Sequence, residues 1–236
     1  MTIILLAGGL GTRLRTIIQD LPKPMAPVQG KPFLAYLLAY IAQFSPTQII
    51  LSVGYKWETI KAYFGESYQN IPIVYCVEET PLGTGGGIRK AVEMAENEQV
   101  CILNGDTFFA VNLQEMLGEH LQNRSDLTIA VRKMKNFDRY GTIFFGETGN
   151  ITNFAEKKAL AEGYINGGIY CLRKSFLLEK ELPSTFSFET EIMEKGYQQS
   201  RFFVFQQAEN AYFIDIGIPE DYASVDITQI SADMSR

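Results

Sequence analysis

A run of small residues, Leu6-Ala7-Gly8-Gly9-Leu10-Gly11-Thr12-Arg13-Leu14, leads directly out of the apolar stretch 2–6. Glycines let a backbone take positive φ and approach a polyphosphate closely, so that consecutive N–H groups point at the anion. An ordinary glycine turn has the same composition, so the neighbouring side chains carry the argument. Arg13 adds a fixed positive charge directly after the loop, suited to a departing pyrophosphate. Lys23 stands between two prolines in Pro22-Lys23-Pro24-Met25. Prolines fix φ, so this lysine is presented from a stiff segment. The loop is neither of two familiar phosphate binders. There is no GxxxxGK[ST], and GxGxxG would need glycine at position 14, where Leu14 stands.

Carboxylates come next. Asn104-Gly105-Asp106 follows the apolar run 100–103, and Asp215 sits in Ile214-Asp215-Ile216-Gly217. A hard carboxylate at a strand end suits Mg²⁺ bridging phosphate oxygens, although a strand-end aspartate also forms turns. Glu78 and Glu79 precede Pro81-Leu82-Gly83-Thr84-Gly85-Gly86-Gly87. That glycine run reads either as a flexible turn before a helix or as a surface free of side chains, against which a flat base can lie.

Elements that could position these residues follow from the apolar spacing. Segment 2–6 reads as a buried central strand, 32–44 as a helix with apolar residues at helical spacing, and 48–53 as the next strand. A short helix over 56–64, a strand at 71–77, a helix over 87–96 and a strand at 100–103 continue the pattern. This strand-loop-helix rhythm predicts an α/β fold with a Rossmann-like mixed, mainly parallel sheet flanked by helices. The second half is less regular: a helix at 113–121, strands at 127–132, 142–145, 151–154, 164–172 and 202–205, and helices at 188–197 and 219–225. No repeat or composition break divides the chain, so one domain is expected over 1–236, with halves 1–110 and 111–228 and a polar, loose tail over 229–236.

Composition narrows the function. A net charge of −6 argues against a nucleic-acid or membrane-surface binder, so the few cations a phosphate needs must be concentrated at one site. No apolar run reaches the ~18–20 residues of a membrane span, and the first residues lack the features of a signal peptide. The odd set Cys76, Cys101 and Cys171, each within a strand-like run, reads as reduced core thiols and a cytoplasmic protein. His120 is expected at the surface, and Trp57 and the phenylalanines in packing.

The glycine loop, Pro22-Lys23-Pro24-Met25, Gly30-Lys31-Pro32 and Asp215-Ile216-Gly217-Ile218-Pro219-Glu220-Asp221-Tyr222 together resemble the sugar-1-phosphate nucleotidyltransferases, over nearly the whole chain. The resemblance implies the nucleotide-diphospho-sugar transferase type of fold. It also implies catalytic roles for Arg13 and Lys23. Nucleotide contacts fall on Leu6, Ala7, Gly8, Gly9, Gly11, Thr12, Gly83 and Asn104, and metal binding, as Mg²⁺, on Asp106 and Asp215. Tyr140-Gly141, Phe154-Ala155-Glu156-Lys157 and Tyr164-Ile165-Asn166-Gly167-Gly168 resemble the family's acceptor motifs. They imply that Gly141, Glu156, Lys157 and Asn166 bind the sugar phosphate. Lys158 replaces a usual proline, leaving two lysines as candidates. Ser187-Phe188-Glu189 resembles a sugar-contacting stretch more weakly.

Glu78 falls where uridylyl- and thymidylyltransferases carry glutamine. A carboxylate only accepts hydrogen bonds, which matches the adjacent N1–H and N2–H₂ donors of guanine and opposes a uracil carbonyl. GTP is therefore favoured, with the other triphosphates open. The whole pattern is most similar to the short bacterial D-glycero-D-manno-heptose 1-phosphate guanylyltransferases, which make GDP-heptose for cell-surface polysaccharides. Mannose-1-phosphate guanylyltransferases, N-acetylmuramate-1-phosphate uridylyltransferases and a non-catalytic nucleotide-binding regulator are the alternatives. A homodimer is allowed but not required.

Overall fold

Strands buried on both faces alternate with amphipathic helices through the first half of the protein, in a computed structural model that describes residues 1–9, 14, 21–155 and 159–234. β1 (Thr2–Leu6) is buried from Thr2 to Leu5, as a continuous apolar run requires of a central strand. A short antiparallel pair, β2 (Pro27–Val28) and β3 (Lys31–Pro32), leads into α1 (Phe33–Ala42). β4 (Gln48–Val53), α2 (Trp57–Phe64), β5 (Ser67–Tyr68), β6 (Ile71–Val77), α3 (Gly83–Glu93) and β7 (Gln99–Asn104) follow. β1 lies between β4 and β7, parallel to both, and β4 pairs in parallel with β6. Alternate residues of β1 serve opposite faces. Ile3 and Leu5 share a core with Phe33 and Leu37 of α1, whereas Ile4 joins Ile88 and Ala91 of α3.

The second half adds β8 (Thr107–Phe109), α4 (Leu113–Gln122), β9 (Leu127–Phe137), β10 (Thr142–Phe145), β11 (Ile151–Ala155), β12 (Leu160–Arg173), α5 (Lys174–Leu178), β13 (Phe202–Gln206), β14 (Phe213–Asp215), α6 (Pro219–Ala223) and α7 (Ile227–Asp233). β12 runs antiparallel to β7, β9 and β10, so it joins the later strands to the parallel sheet. Among the described residues the strands form a ten-stranded mixed sheet in the order β11-β10-β12-β7-β1-β4-β6-β5, with β9 and β13 beyond β12. The helix-flanked, Rossmann-like architecture expected from the rhythm is what forms.

Several local expectations need correction. His120 is buried, 1% exposed, because its face of α4 packs on the sheet. Its ring lies between the Thr128 hydroxyl at 2.8 Å and Gln99 Oε1 at 2.9 Å. The tail is helical through Asp233, where α7 is capped by Asp226 and buries Ile230. The glycine run does not precede α3 but forms its first turns. Cys76, Cys101 and Cys171 are free and buried, and burial pushes the Cys76 thiol up to about 11. Among the described residues no helix is long and apolar enough to cross a membrane.

Candidate active site

Strand register decides which loops meet. Leu6 pairs with Ser52 on one side and Asn104 on the other, so the chain leaves β1, β4 and β7 at one edge of the sheet. Ala7 N–H donates to Ser52 O at 2.7 Å, Gly105 N–H to Leu6 O at 2.9 Å and Glu78 N–H to Val53 O at 2.7 Å, which extends the parallel ladder into the loops. A Cβ on residue 105 would lie 2.6 Å from Leu6 O, so only glycine allows Asp106 to turn in this close to β1. Ligands of open α/β sheets bind at this carboxyl edge.

A cavity of about 540 Å³ opens over the edge, lined by Gly8, Gly9, Glu78, Gly83, Asn104 and Asp106 among others. Glu78 does not wave into solvent. Its Oε1 accepts from the Ser52 hydroxyl at 3.1 Å and its Oε2 from Leu82 N–H at 3.2 Å. A Cβ on Gly87 would stand 2.7 Å from Glu78 Oε1. Each carboxylate oxygen keeps acceptor capacity beyond the bond it already makes. The expected side-chain-free surface is smaller than the glycine run suggests. Gly83 and Gly87 line the cavity, whereas a Cβ on Gly85 would lie 2.1 Å from the Phe186 ring and one on Gly86 2.5 Å from Ser184 O. Those two glycines, with Gly83, whose own Cβ would lie 2.5 Å from Phe186 O, admit the 184–188 segment against α3.

Lys23 opens a short 3₁₀ turn, Lys23–Met25, whose Pro24 and Met25 are buried. Its Nζ lies 2.5 Å from Asp106 Oδ2. Asp215 arrives from the far end of the chain through a ladder the sequence did not suggest. β8 and β14 pair antiparallel with Asp215 opposite Thr107, and Ile216 N–H donates to Asp106 O at 2.9 Å. Burial and then the charge of Asp106 push the Asp215 carboxyl above its usual range, against the pull of Lys23 and of Gly217 N–H. A cation between the two aspartates would relieve that repulsion. Among the described residues no group of three or more His, Cys, Asp or Glu is arranged to hold a metal ion. A pair of carboxylates is nonetheless the donor set Mg²⁺ uses when phosphate oxygens and waters complete its shell.

A second cavity, of about 690 Å³, adjoins the first and shares Asn104 and Glu189 with it. Asp215, Gly141, Asn166 and Arg139 line it. Asn166 lies where β12 bulges: it pairs with Val131, and the next paired residue is Tyr170 with Ile129. Its side chain is fixed, accepting from Gly168 N–H at 2.9 Å and donating to the Tyr170 hydroxyl at 2.8 Å. Gly168 has φ +74°, which the bulge requires. Leu6 and Ala7 sit at the mouth of the glycine loop, Leu6 in the first cavity's wall. Gly11, Thr12, Arg13, Glu156, Lys157 and Lys158 lie outside the described residues, and Ala155, just before the last three, lines the second cavity.

Two residues at the site carried little signal in the sequence. Glu189 stands in the wall between the cavities, its Oε2 accepting from the Thr84 hydroxyl at 2.7 Å and from Ser187 Oγ at 2.9 Å. It opens a π-helical turn, Glu189–Glu194, where an α-helix was expected. An α-helix would rotate Glu194 about 140° from Glu189. With the wider turn, Glu189, Met193 and Glu194 all reach the second cavity. Arg139 could have been suspected only from its place beside Tyr140-Gly141.

Residues 2–230 match the family described as nucleotidyl transferase. A D-glycero-alpha-D-manno-heptose 1-phosphate guanylyltransferase of Aneurinibacillus thermoaerophilus is 47% identical over 222 residues, covering 94% of this chain and 95% of that one. The enzyme of the same description from Campylobacter jejuni subsp. jejuni is 43% identical over 224 residues, covering 94% and 97%. Among solved structures, HddC from Yersinia pseudotuberculosis complexed with GMP-PN superposes with a TM-score of 0.82 at 36% identity, covering 94% of this chain and 96% of that one.

Proposed function

Since the chain belongs to the nucleotidyl transferase family, we propose that it transfers GMP from GTP to a sugar 1-phosphate, D-glycero-D-manno-heptose 1-phosphate foremost, releasing pyrophosphate and GDP-sugar. The observation that carries this reading is a pair of adjoining cavities that share Asn104 and Glu189, one lined by Asp106 and the other by Asp215, with Lys23 on the first aspartate. The relatives named as heptose 1-phosphate guanylyltransferases and the GMP-PN complex of HddC support the choice of guanine and heptose.

In this reading the first cavity takes GTP. Leu6, Ala7, Gly8 and Gly9, with Gly11 and Thr12, follow the triphosphate, Gly83 and Asn104 flank the nucleoside, and the clamped Glu78 accepts from the guanine N1–H and N2–H₂. The second cavity takes the acceptor, with Gly141, Glu156 and Asn166 around the sugar and Lys157 on its phosphate. The halves 1–110 and 111–228 thus divide the two substrates between them. A phosphate oxygen of the acceptor attacks the α-phosphorus in line. That oxygen is ionised near neutral pH, so no general base is needed, in keeping with two cavities whose described linings contain no histidine. Catalysis then rests on positioning and charge neutralisation. Lys23 exchanges Asp106 for the α-phosphate, and Arg13 meets the departing pyrophosphate. Asp106 and Asp215 hold Mg²⁺, which when bound neutralises charge on phosphate oxygens. The product fits a cytoplasmic supply of GDP-heptose for cell-surface polysaccharide, and the buried free thiols suit a reducing compartment.

A pyrophosphate-release assay tests this directly, crossing the four common triphosphates with heptose, mannose and N-acetylhexosamine 1-phosphates, with Mg²⁺ and with a chelator. Release is expected with GTP and heptose 1-phosphate, lost on chelation and restored by added Mg²⁺. Release with UTP alone would overturn the assignment of Glu78, and release with mannose 1-phosphate alone would move the acceptor to a hexose.

A further inference from the structure

The second cavity is an electrostatic problem for a phosphorylated ligand. Its described lining carries the carboxylates of Glu189, Glu194, Asp215 and Asp221 against a single described cation, Arg139. A sugar 1-phosphate adds further negative charge to that set, and a desolvated anion needs a fixed partner. Resting on the reading of this cavity as the acceptor site, with Lys157 beyond the described residues also on the phosphate, we propose that Arg139 is a second cation that binds the acceptor's phosphate and that Asp221 holds Arg139 in place until the acceptor arrives.

The geometry supports both halves of the statement. Arg139 lies in the loop between β9 and β10, beside Gly141, and Asp221 lies in α6, just beyond the strand that carries Asp215. Arg139 Nη2 stands 3.0 Å from Asp221 Oδ2, with the two side chains 47% and 25% exposed. An ion pair that open to water is weakly held and easily exchanged. The guanidinium lies 5.6 Å from the centroid of the Tyr140 ring. Tyr140 meets Phe213 edge to face at 6.3 Å, and Arg132 covers the Phe213 ring at 5.0 Å. This stack holds Arg139 on the side of the cavity where Asp215 stands, two residues after Phe213. The attacking phosphate must also be there to reach a nucleotide beside Asp106.

Residue type matters as well. A guanidinium offers a planar fork to two phosphate oxygens, whereas its recorded bond to Asp221 uses one nitrogen. Moving from Asp221 to phosphate would therefore trade one contact for two. A lysine would keep the charge and lose the fork.

Opposite effects of two substitutions separate this role from that of a strut between the loop and α6. Steady-state constants for sugar 1-phosphate and GTP would be measured with melting temperatures for Arg139→Ala, Arg139→Lys and Asp221→Asn. Arg139→Ala is expected to raise KM for the sugar 1-phosphate roughly 10–100-fold, the size of a lost charge-assisted contact, with KM for GTP unchanged. Arg139→Lys should recover part of the loss, and it also serves if the alanine variant does not fold. Asp221→Asn frees Arg139 and should leave the acceptor KM unchanged or lower it. Equal rises in acceptor KM for Arg139→Ala and Asp221→Asn would overturn the proposal, as would an unchanged KM in Arg139→Ala. Failure of the unsubstituted protein to turn over any sugar 1-phosphate would instead sink the functional reading beneath it.

Discussion

Lys23 has two anionic partners available in turn, the Asp106 carboxylate that it touches at 2.5 Å and the α-phosphate it would meet in the reaction. A group that gains its strongest partner only as charge develops contributes to turnover more than to binding. Lys23→Ala should therefore lower kcat by about 10²–10³-fold, the range for removing one electrostatic donor, while KM for the sugar 1-phosphate stays near its original value. Equal losses in both constants would contradict the role. Glu78 makes the complementary argument for the base. In Glu78→Gln the amide oxygen can keep Leu82 N–H and the amide NH₂ can turn to Ser52 Oγ, so the fold is spared. The NH₂ then faces the N1–H of guanine, and a carbonyl of uracil becomes the better match. The ratio of kcat/KM for GTP over UTP should fall by about 1–3 kcal/mol, roughly 10–100-fold. A ratio that does not move would place guanine recognition on other atoms.

At the scale of elements, the first turns of α3 set two tendencies against each other. Alanine is the better helix former by about 1 kcal/mol, so propensity alone says that Gly85→Ala stabilises. Its Cβ, however, would stand 2.1 Å from the Phe186 ring, and Gly85 N–H already donates to Phe186 O at 2.9 Å. Overpacking of that kind costs about 1–3 kcal/mol. It would also shift the segment that fixes Glu189 through Thr84 and Ser187. The expected result is a lower melting temperature together with lower turnover for both substrates. A raised melting temperature with unchanged kinetics would mean that Phe186 swings aside freely. The glycine run was legible in the sequence as a special backbone, but its partner was not, because nothing local to residues 83–87 names Phe186. Short-range chemistry was readable: the end of β1, the proline-flanked Lys23 and the carboxylate after β7 all follow from neighbours in the chain. The ladder of β8 with β14 was not, since three-residue apolar strands far apart in sequence carry no periodicity. That ladder is what sets Asp215 beside Asp106. The π turn was likewise hidden, because the same apolar spacing suits an α-helix.

For the molecule as a whole, the parallel first half was readable from its rhythm, while the second half depends on β12 pairing with β7, a long-range contact with no local signature. His120 shows what such joints hide. Its ring was expected at the surface because it lies on a helix away from every motif. Instead it bridges β7 through Gln99 Oε1 and β9 through the Thr128 hydroxyl. Because a carbonyl oxygen only accepts, Nε2–H donates to Gln99 and Nδ1 accepts from Thr128. A protonated ring would donate from both nitrogens, so the Thr128 hydroxyl would have to turn from donor to acceptor, and burial already pushes the imidazole down to about 4 from 6.5, although Asp126 pulls the other way. The neutral form is thus the one that folding selects. Between these two values the unfolded chain binds more protons than the folded one, so stability rises with pH across that window and is lost as pH falls from about 6.5 towards 4. The shift corresponds to roughly 3 kcal/mol at its limit. Urea midpoints measured from pH 7.5 to 4.5 should therefore fall more steeply for the unsubstituted protein than for His120→Gln, which is expected to start lower and decline more gently. Parallel declines would show that carboxylates elsewhere govern acid unfolding and that the joint between the two halves tolerates a charged ring.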